Sequence, residues 1–223
     1  MDAKLFSQAL AKYLSGLLLM GVLLFVPAGT FAYWQAWLLL GILFIPMLVA
    51  GLILFWKSPD LLRKRLNAKE EQAEQRTVIV LSGLTFLVAF VIAGLNFRFG
   101  WMALPAWVSY GAAAVFLFAY VLYAEVLREN AYLSRTVEVQ EGQELVDTGL
   151  YGIVRHPMYM STVLLFMSMP LVLGSPISFA VMLAYVPIIV KRIRNEELIL
   201  EDSLAGYREY EGRVRYRLIP HVW

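Results

Sequence analysis

The sequence predicts an all-α fold, a polytopic integral membrane helical bundle of four transmembrane helices followed by a C-terminal membrane helical hairpin, five to six spans in all. Three observations predict it. The 223 residues are 60% hydrophobic and 16% charged, and their mean hydropathy of +0.66 is too high for an ordinary soluble domain. Apolar runs recur from near the N-terminus to about residue 190 with no soluble-domain-sized block between them. Basic residues are sorted: with the N-terminus, both long polar connectors and the C-terminus on one side, 18 of the 19 Lys and Arg lie there and only Arg98 lies opposite. That side is expected to be the cytoplasm.

Taken in order, Tyr13 to Trp34 and Ala36 to Trp56 are apolar segments of 22 and 21 residues, close to the roughly 20 that cross hydrocarbon. They form a hairpin, with Trp34, Trp37 and Trp56 at headgroup level. The first run lacks a small-residue cleavage site and is followed directly by another span, so it reads as a membrane helix and not as a removed signal peptide. Pro27 and Pro46 lie inside these spans and imply kinks. Lys57 to Arg76, with six basic and four acidic residues, reads as a solvated or surface-lying amphipathic helix. Thr77 to Phe97 and Leu104 to Leu127 are the third and fourth spans, joined by a turn at Gly100. Glu125 falls near the end of its span, where snorkelling to water accounts for it as well as catalysis does.

Residues 1–127 are thus expected to form an N-terminal unit of four spans that lines substrate entry, and residues 128–223 a C-terminal unit with the chemistry. Arg128 to Pro157 is a second polar connector. Met158 to Leu173 and Ile177 to Val190, arms of 16 and 14 residues around a Gly174-Ser175-Pro176 turn, are short for independent spans and suit a helical hairpin. A charged helix then continues to about Glu211.

Composition excludes several functions. A net charge of +2 with mixed signs does not argue for nucleic acid. With no cysteine, disulfides, thiolate nucleophiles and Cys-ligated metals are excluded, and no metal is expected. No G-x-G-x-x-G fingerprint is present, so a soluble dinucleotide or methyltransferase fold of that type is unavailable.

Two stretches on the expected cytoplasmic face carry the polar chemistry. In Gly149 to Tyr159, the Arg155-His156-Pro157 turn starts a helix with proline near its first position, leaving backbone N-H groups able to meet an anionic or polar ligand. Tyr151 and Tyr159 add flat faces suited to a purine. A His-Pro pair at a helix start also serves simply as a cap. Arg192 and Glu196, four residues apart, share a helix face. An intrahelical ion pair explains that spacing, and so does an arginine that holds a substrate carboxylate beside a glutamate that receives the cationic part of a cofactor. The hairpin brings both stretches together.

The pattern G-x-Y-x-x-x-R-H-P-x-Y, followed by a helical hairpin, R-x-x-x-E-E, the pair Tyr207 and Tyr210 and a terminal R-x-I-P, resembles the isoprenylcysteine carboxyl methyltransferase family and its phospholipid methyltransferase relatives. The resemblance runs from about residue 128 to the C-terminus. It implies a membrane enzyme that uses S-adenosylmethionine to methylate a lipophilic acceptor, an isoprenylcysteine-like carboxylate or a phospholipid-like group, at the cytoplasmic face. By the same resemblance the cofactor is held by Gln143, Glu144, Leu145 and Val146, by Tyr151, by His156, Pro157, Met158 and Tyr159, and by Glu196, with Glu197 the alternative register. Arg192 is the implied substrate-binding residue, and Arg192 and Glu196 the implied catalytic pair. The chain departs from the family pattern at Gln143, where members often carry His, and at Met160 and Ser161, where a small Gly or Ala is common.

Methyl transfer from a sulfonium needs an in-line nucleophile and little acid-base help, so most of the rate is expected from positioning and from exclusion of water. An amine acceptor would require a base, for which Glu196 or Tyr159 are candidates. The ending Val-Arg-Tyr-Arg-Leu-Ile-Pro-His-Val-Trp also resembles NADPH-dependent sterol reductases, which share the His-Pro turn but carry an Arg-Asp-Glu type sequence where this chain has Arg194-Asn195-Glu196. A non-catalytic membrane transporter or assembly protein is a third possibility, although transporters place ionisable residues near the bilayer midplane in paired halves and here they cluster at one face of the C-terminal half.

Overall fold

The computed structural model describes residues 3–66, 73–130, 132–133, 139 and 141–223. The middle of each long polar connector therefore lies outside the described residues. Those described are all-α, with no strand among them: α1 (Ala3–Ala28), α2 (Trp34–Lys57), α3 (Pro59–Leu66), α4 (Ala73–Phe99), α5 (Ala106–Glu129), a 3-10 turn (Gly149–Gly152), α6 (Pro157–Val172), α7 (Pro176–Met182), α8 (Tyr185–Ser203) and α9 (Tyr207–Arg213). Five helical stretches are long and apolar enough to cross a membrane, namely α1, α2, α4 from Arg76, α5, and α7 with α8. α6, with 16 residues, is about 24 Å long and falls short of a ~30 Å hydrocarbon core. The protein is a multi-pass membrane protein.

The first span differs from the Tyr13 to Trp34 expectation. Its helix starts at Ala3 because the polar segment around Lys4 and Gln8 continues the same helix. It stops at Ala28 because Gly29 takes φ +67 and returns its amide to Phe25 O (2.9 Å), a left-handed helix end that glycine adopts without Cβ strain. The hairpin turn is therefore residues 29–33. The last arm also differs: the run from Ile177 is interrupted at Leu183 and Ala184, and α8 restarts with Pro187 in its first turn, where the missing N-H is tolerated. The charged helix likewise does not run unbroken to Glu211. α8 ends at Ser203, and Gly206, at φ +81, redirects the chain into α9.

One end of the bundle gathers the short turns. Tyr33, fully buried, donates its hydroxyl to Leu173 O at 2.7 Å and stacks on Phe97 with ring centroids 4.2 Å apart. Leu104 N donates to Gly174 O (3.4 Å), and the Asn96 amide closes the Gly100 turn through Met102 O (2.7 Å) and Met102 N (3.1 Å). Buried polar groups in hydrocarbon must be paired internally, and these bonds do so.

Along the bundle α5 lies on α6, α1 on α4, and α4 on α7 and α8. Small residues permit close approach. Ala112, Ala113 and Ala119 of α5 are buried, and a Cβ on Gly94 of α4 would meet Leu24 O of α1 at 2.7 Å. Large apolar side chains cover the outside, Leu18, Val26, Ile45, Phe118 and Val121 among them. In water such a surface would aggregate; in a bilayer it is the lipid-facing belt. Exposed Trp56 marks one end, and exposed Trp37, Trp101 and Trp107 the other. Glu125, at the end of α5, is paired with Arg128 (2.6 Å) in an exposed position, in keeping with snorkelling to water.

Candidate functional site

The site is built where α5 ends and α6 begins. Gly149 takes φ +52 and lies so close to the Glu129 carboxylate that any Cβ there would collide with it. That carboxylate accepts from Thr148 Oγ1 (2.9 Å) and Leu150 N (3.3 Å), which fixes the 3-10 turn against the end of α5. The turn presents Tyr151, whose hydroxyl accepts from Asn130 Nδ2 (3.0 Å) and whose carbonyl accepts from the Tyr210 hydroxyl (2.8 Å). Burial pushes the Tyr151 hydroxyl up to about 12, so it is a neutral phenol at physiological pH.

His156 is the N-cap residue of α6, with Pro157 at the first helical position, but its side chain makes no capping bond. The amides of Met158 and Tyr159 belong to the first turn and have no acceptor within the helix. The histidine Nε2 instead lies 3.2 Å from Glu197 Oε1. Arg155 is buried with it: Nε and Nη2 reach Glu197 Oε1 at 2.8 and 2.7 Å, Nη2 reaches Glu211 Oε1 at 2.9 Å, and Nη1 donates to Val214 O at 3.0 Å. Arg217 Nε closes on the other Glu197 oxygen at 2.5 Å. Backbone bonds from Arg155 N to Tyr216 O and from His156 N to Arg217 O, both 2.9 Å, lay the C-terminal segment along the His-Pro turn.

One residue before this buried hub, Glu196 faces another way. The Tyr159 hydroxyl donates to Glu196 Oε2 and accepts from Arg192 Nε at 2.9 Å, so α6 inserts a phenol between the two charges that α8 carries four residues apart. The Arg192 guanidinium also lies 5.9 Å from the centroid of the Tyr159 ring.

These groups border a cleft partly open to solvent, with about 860 Å³ of empty space when the solvent at its mouth is counted. Of the residues singled out in the sequence, Gln143, Glu144, Leu145, Val146, Tyr151, His156, Pro157, Met158, Tyr159, Arg192 and Glu196 line it. Glu197 is not in the lining; its carboxylate, 3% exposed, belongs to the ion pairs behind the wall. The sequence reading missed Asn130, Tyr132, Ile199 and Leu204 in the lining, and it gave no role to Arg155, Tyr207 or Tyr210, which are also there. The Tyr207 and Tyr210 spacing was visible as a motif without a function attached. Glu129 and Glu211 carried no signal, and Arg217 was visible only within the terminal R-x-I-P pattern with no role attached, since each acts by holding another residue.

The cleft is not strongly basic. Its described lining holds two carboxylates, Glu144 and Glu196, against two arginines, and Arg155 is engaged by Glu197 and Glu211. Such a balance suits a zwitterionic or cationic ligand better than a polyanion.

Comparison with known proteins bears on the same region. A 91-residue segment is 31% identical to the Delta(14)-sterol reductase TM7SF2 of Mus musculus, covering 40% of this chain and 22% of the reductase. The matched part is thus about a fifth of that relative. Residues 112–202, from α5 through the cleft to the end of α8, match the isoprenylcysteine carboxyl methyltransferase (ICMT) family.

Proposed function

We propose that the cleft binds S-adenosylmethionine and that the protein transfers its methyl group to a lipophilic acceptor at the cytoplasmic face of the membrane. The observation that carries this reading is the arrangement of Arg192, Tyr159 and Glu196, a cation and a carboxylate held by one phenol on the wall of the cleft. The residues present fit the cofactor's chemistry: a carboxylate for its ammonium group, tyrosine faces for its adenine, first-turn amides of α6, which have no acceptor within the helix, for its carboxylate, and a buried Tyr207 hydroxyl with no partner among the described residues. When bound, S-adenosylmethionine supplies an electrophilic methyl on a sulfonium sulfur.

The chain's own residues do the rest. Glu196, Tyr151 and the Gln143 to Val146 segment hold and orient the cofactor. Arg192 holds a carboxylate or other anionic group of the acceptor and lines it up for displacement. The apolar lining from Leu145, Ile199 and Leu200 excludes water, which strengthens these charge contacts. Acceptors in this reading are isoprenylcysteine-like carboxylates and phospholipid-like groups, reached from the bilayer past the N-terminal spans.

The match to a sterol reductase segment supports a second reading, an NADPH-dependent reductase. Against it stands the charge balance, because NADPH brings several phosphate charges to a cleft with two carboxylates. Thermal unfolding of the purified protein separates the two: S-adenosylhomocysteine is expected to raise the midpoint and NADPH to leave it unchanged. Stabilisation by NADPH alone overturns the methyltransferase reading. Incubating membranes with labelled S-adenosylmethionine and identifying the labelled lipid then names the acceptor.

A further inference from the structure

We propose that the Tyr207 hydroxyl is a ligand-binding donor of the cleft and that it hydrogen-bonds the nucleoside part of the cofactor, an inference that rests on the S-adenosylmethionine reading above. Gly206, in a left-handed conformation, turns the chain after Leu204 so that Tyr207 opens α9 against the cleft. The side chain is 3% exposed, and its hydroxyl, shielded from solvent, has no hydrogen-bond partner among the described residues. Folded proteins seldom leave such a group unpaired without a functional reason.

Tyr210 provides an internal contrast. It lies on the same helix, equally buried, with its ring centroid 5.7 Å from that of Tyr207, and its hydroxyl is satisfied by Tyr151 O at 2.8 Å. One tyrosine holds the fold together, and the other keeps its donor in reserve. Burial and the neighbouring Glu197 and Glu196 hold the Tyr207 hydroxyl far above the ordinary phenol range, so it stays protonated.

What it bonds follows by elimination. A donor needs an acceptor, and the cofactor's ammonium offers none. Its carboxylate is disfavoured beside Glu196 and Glu197, and Arg155, the nearby cation, is already engaged by Glu197 and Glu211. Neutral acceptors remain, namely a ribose hydroxyl or an adenine ring nitrogen.

The test is the isosteric Tyr207→Phe variant of the full chain in detergent, titrated with S-adenosylhomocysteine and with methylthioadenosine, which keeps the nucleoside and lacks the amino acid. About tenfold weaker binding of both is expected, with the unfolding midpoint of the unliganded protein unchanged or raised. Tyr210→Phe is expected to lower that midpoint. If Tyr207→Phe binds both compounds as wild type does, or if its unliganded midpoint falls, the hydroxyl has another role and the proposal fails while the cofactor reading stands. A loss confined to S-adenosylhomocysteine overturns the nucleoside assignment. A wild-type protein that binds neither compound removes the cofactor reading and this proposal together.

Discussion

Arg155 and Glu197 form a buried pair, Nη2 to Oε1 2.7 Å, with both side chains 3% exposed. Around it converge the His-Pro turn, α8 and the C-terminal segment, which have no common secondary structure to hold them. The pair shapes one wall of the cleft from behind, while its sequence neighbour Glu196 faces the front.

That division predicts opposite phenotypes for adjacent glutamates. Removing one partner of a buried pair leaves an uncompensated charge and costs about 3–5 kcal/mol; Glu211 still faces Arg155, so Glu197→Gln is expected at the lower end, roughly 3 kcal/mol, or about 6–12 °C in the midpoint. Glu196→Gln is expected to unfold as wild type does and to lose S-adenosylhomocysteine binding. Thermal unfolding and ligand titration of both variants decide it, and the reverse pattern would reverse the register assignment.

Arg192 is expected to fail even as lysine. Its guanidinium touches the Tyr159 hydroxyl through Nε, and a planar fork meets an acceptor in a bidentate geometry that a lysine point charge cannot copy. Arg192→Lys should reduce methyl transfer to membrane lipid about 10²-fold while S-adenosylhomocysteine binding stays within about threefold of wild type. Full activity in that variant would remove Arg192 from the substrate site.

Much of this was readable in the sequence because hydrophobic length is a local property. Spans two to four were placed to within a few residues, and the polar residues of the Gly149 to Tyr159 stretch do meet Arg192 and Glu196 at one cleft. The end of α1 was missed because the apolar run continues past Gly29, although the glycine itself was the stop signal. The choice between Glu196 and Glu197 was legible in principle: Tyr185, Ile189, Ile193 and Glu197 recur every four residues on the buried face of α8, which puts Glu197 on the core stripe. The partners of Arg217 and Glu211 were not legible, since they lie on other elements and become neighbours only when the C-terminal segment folds back.

Helix proximity in the N-terminal half yields a stability prediction with a built-in control. A Cβ at Gly94 would lie 2.7 Å from Leu24 O and 2.9 Å from Pro27 Cβ, so α1 and α4 must separate. Gly94→Ala is expected to cost about 1–3 kcal/mol despite alanine's better helix propensity. Gly83→Ala, on the same helix with nothing within 4 Å of its Cβ, should be neutral or stabilising by up to about 1 kcal/mol. Comparing the two midpoints separates packing from propensity; equal shifts would show that the α1 and α4 contact is not tight.

The side of the membrane on which the cleft opens is set by charge. The turns at residues 29–33 and 100–104 meet the turn at Gly174 at one end of the bundle, whereas α9 and the cleft lie at the other, with nearly all of the basic residues. Since basic segments resist translocation, the turn end should face outward and the cleft the cytoplasm. The chain contains no cysteine, so single substitutions report cleanly. Met102→Cys, whose side chain is 54% exposed at the turn end, is expected to react with an impermeant maleimide on intact cells. Glu209→Cys, exposed on α9, is expected to react only after the membrane is opened. The opposite labelling pattern would place the cleft outside, away from the intracellular pool of S-adenosylmethionine, and so would count against the proposed activity as well as the topology.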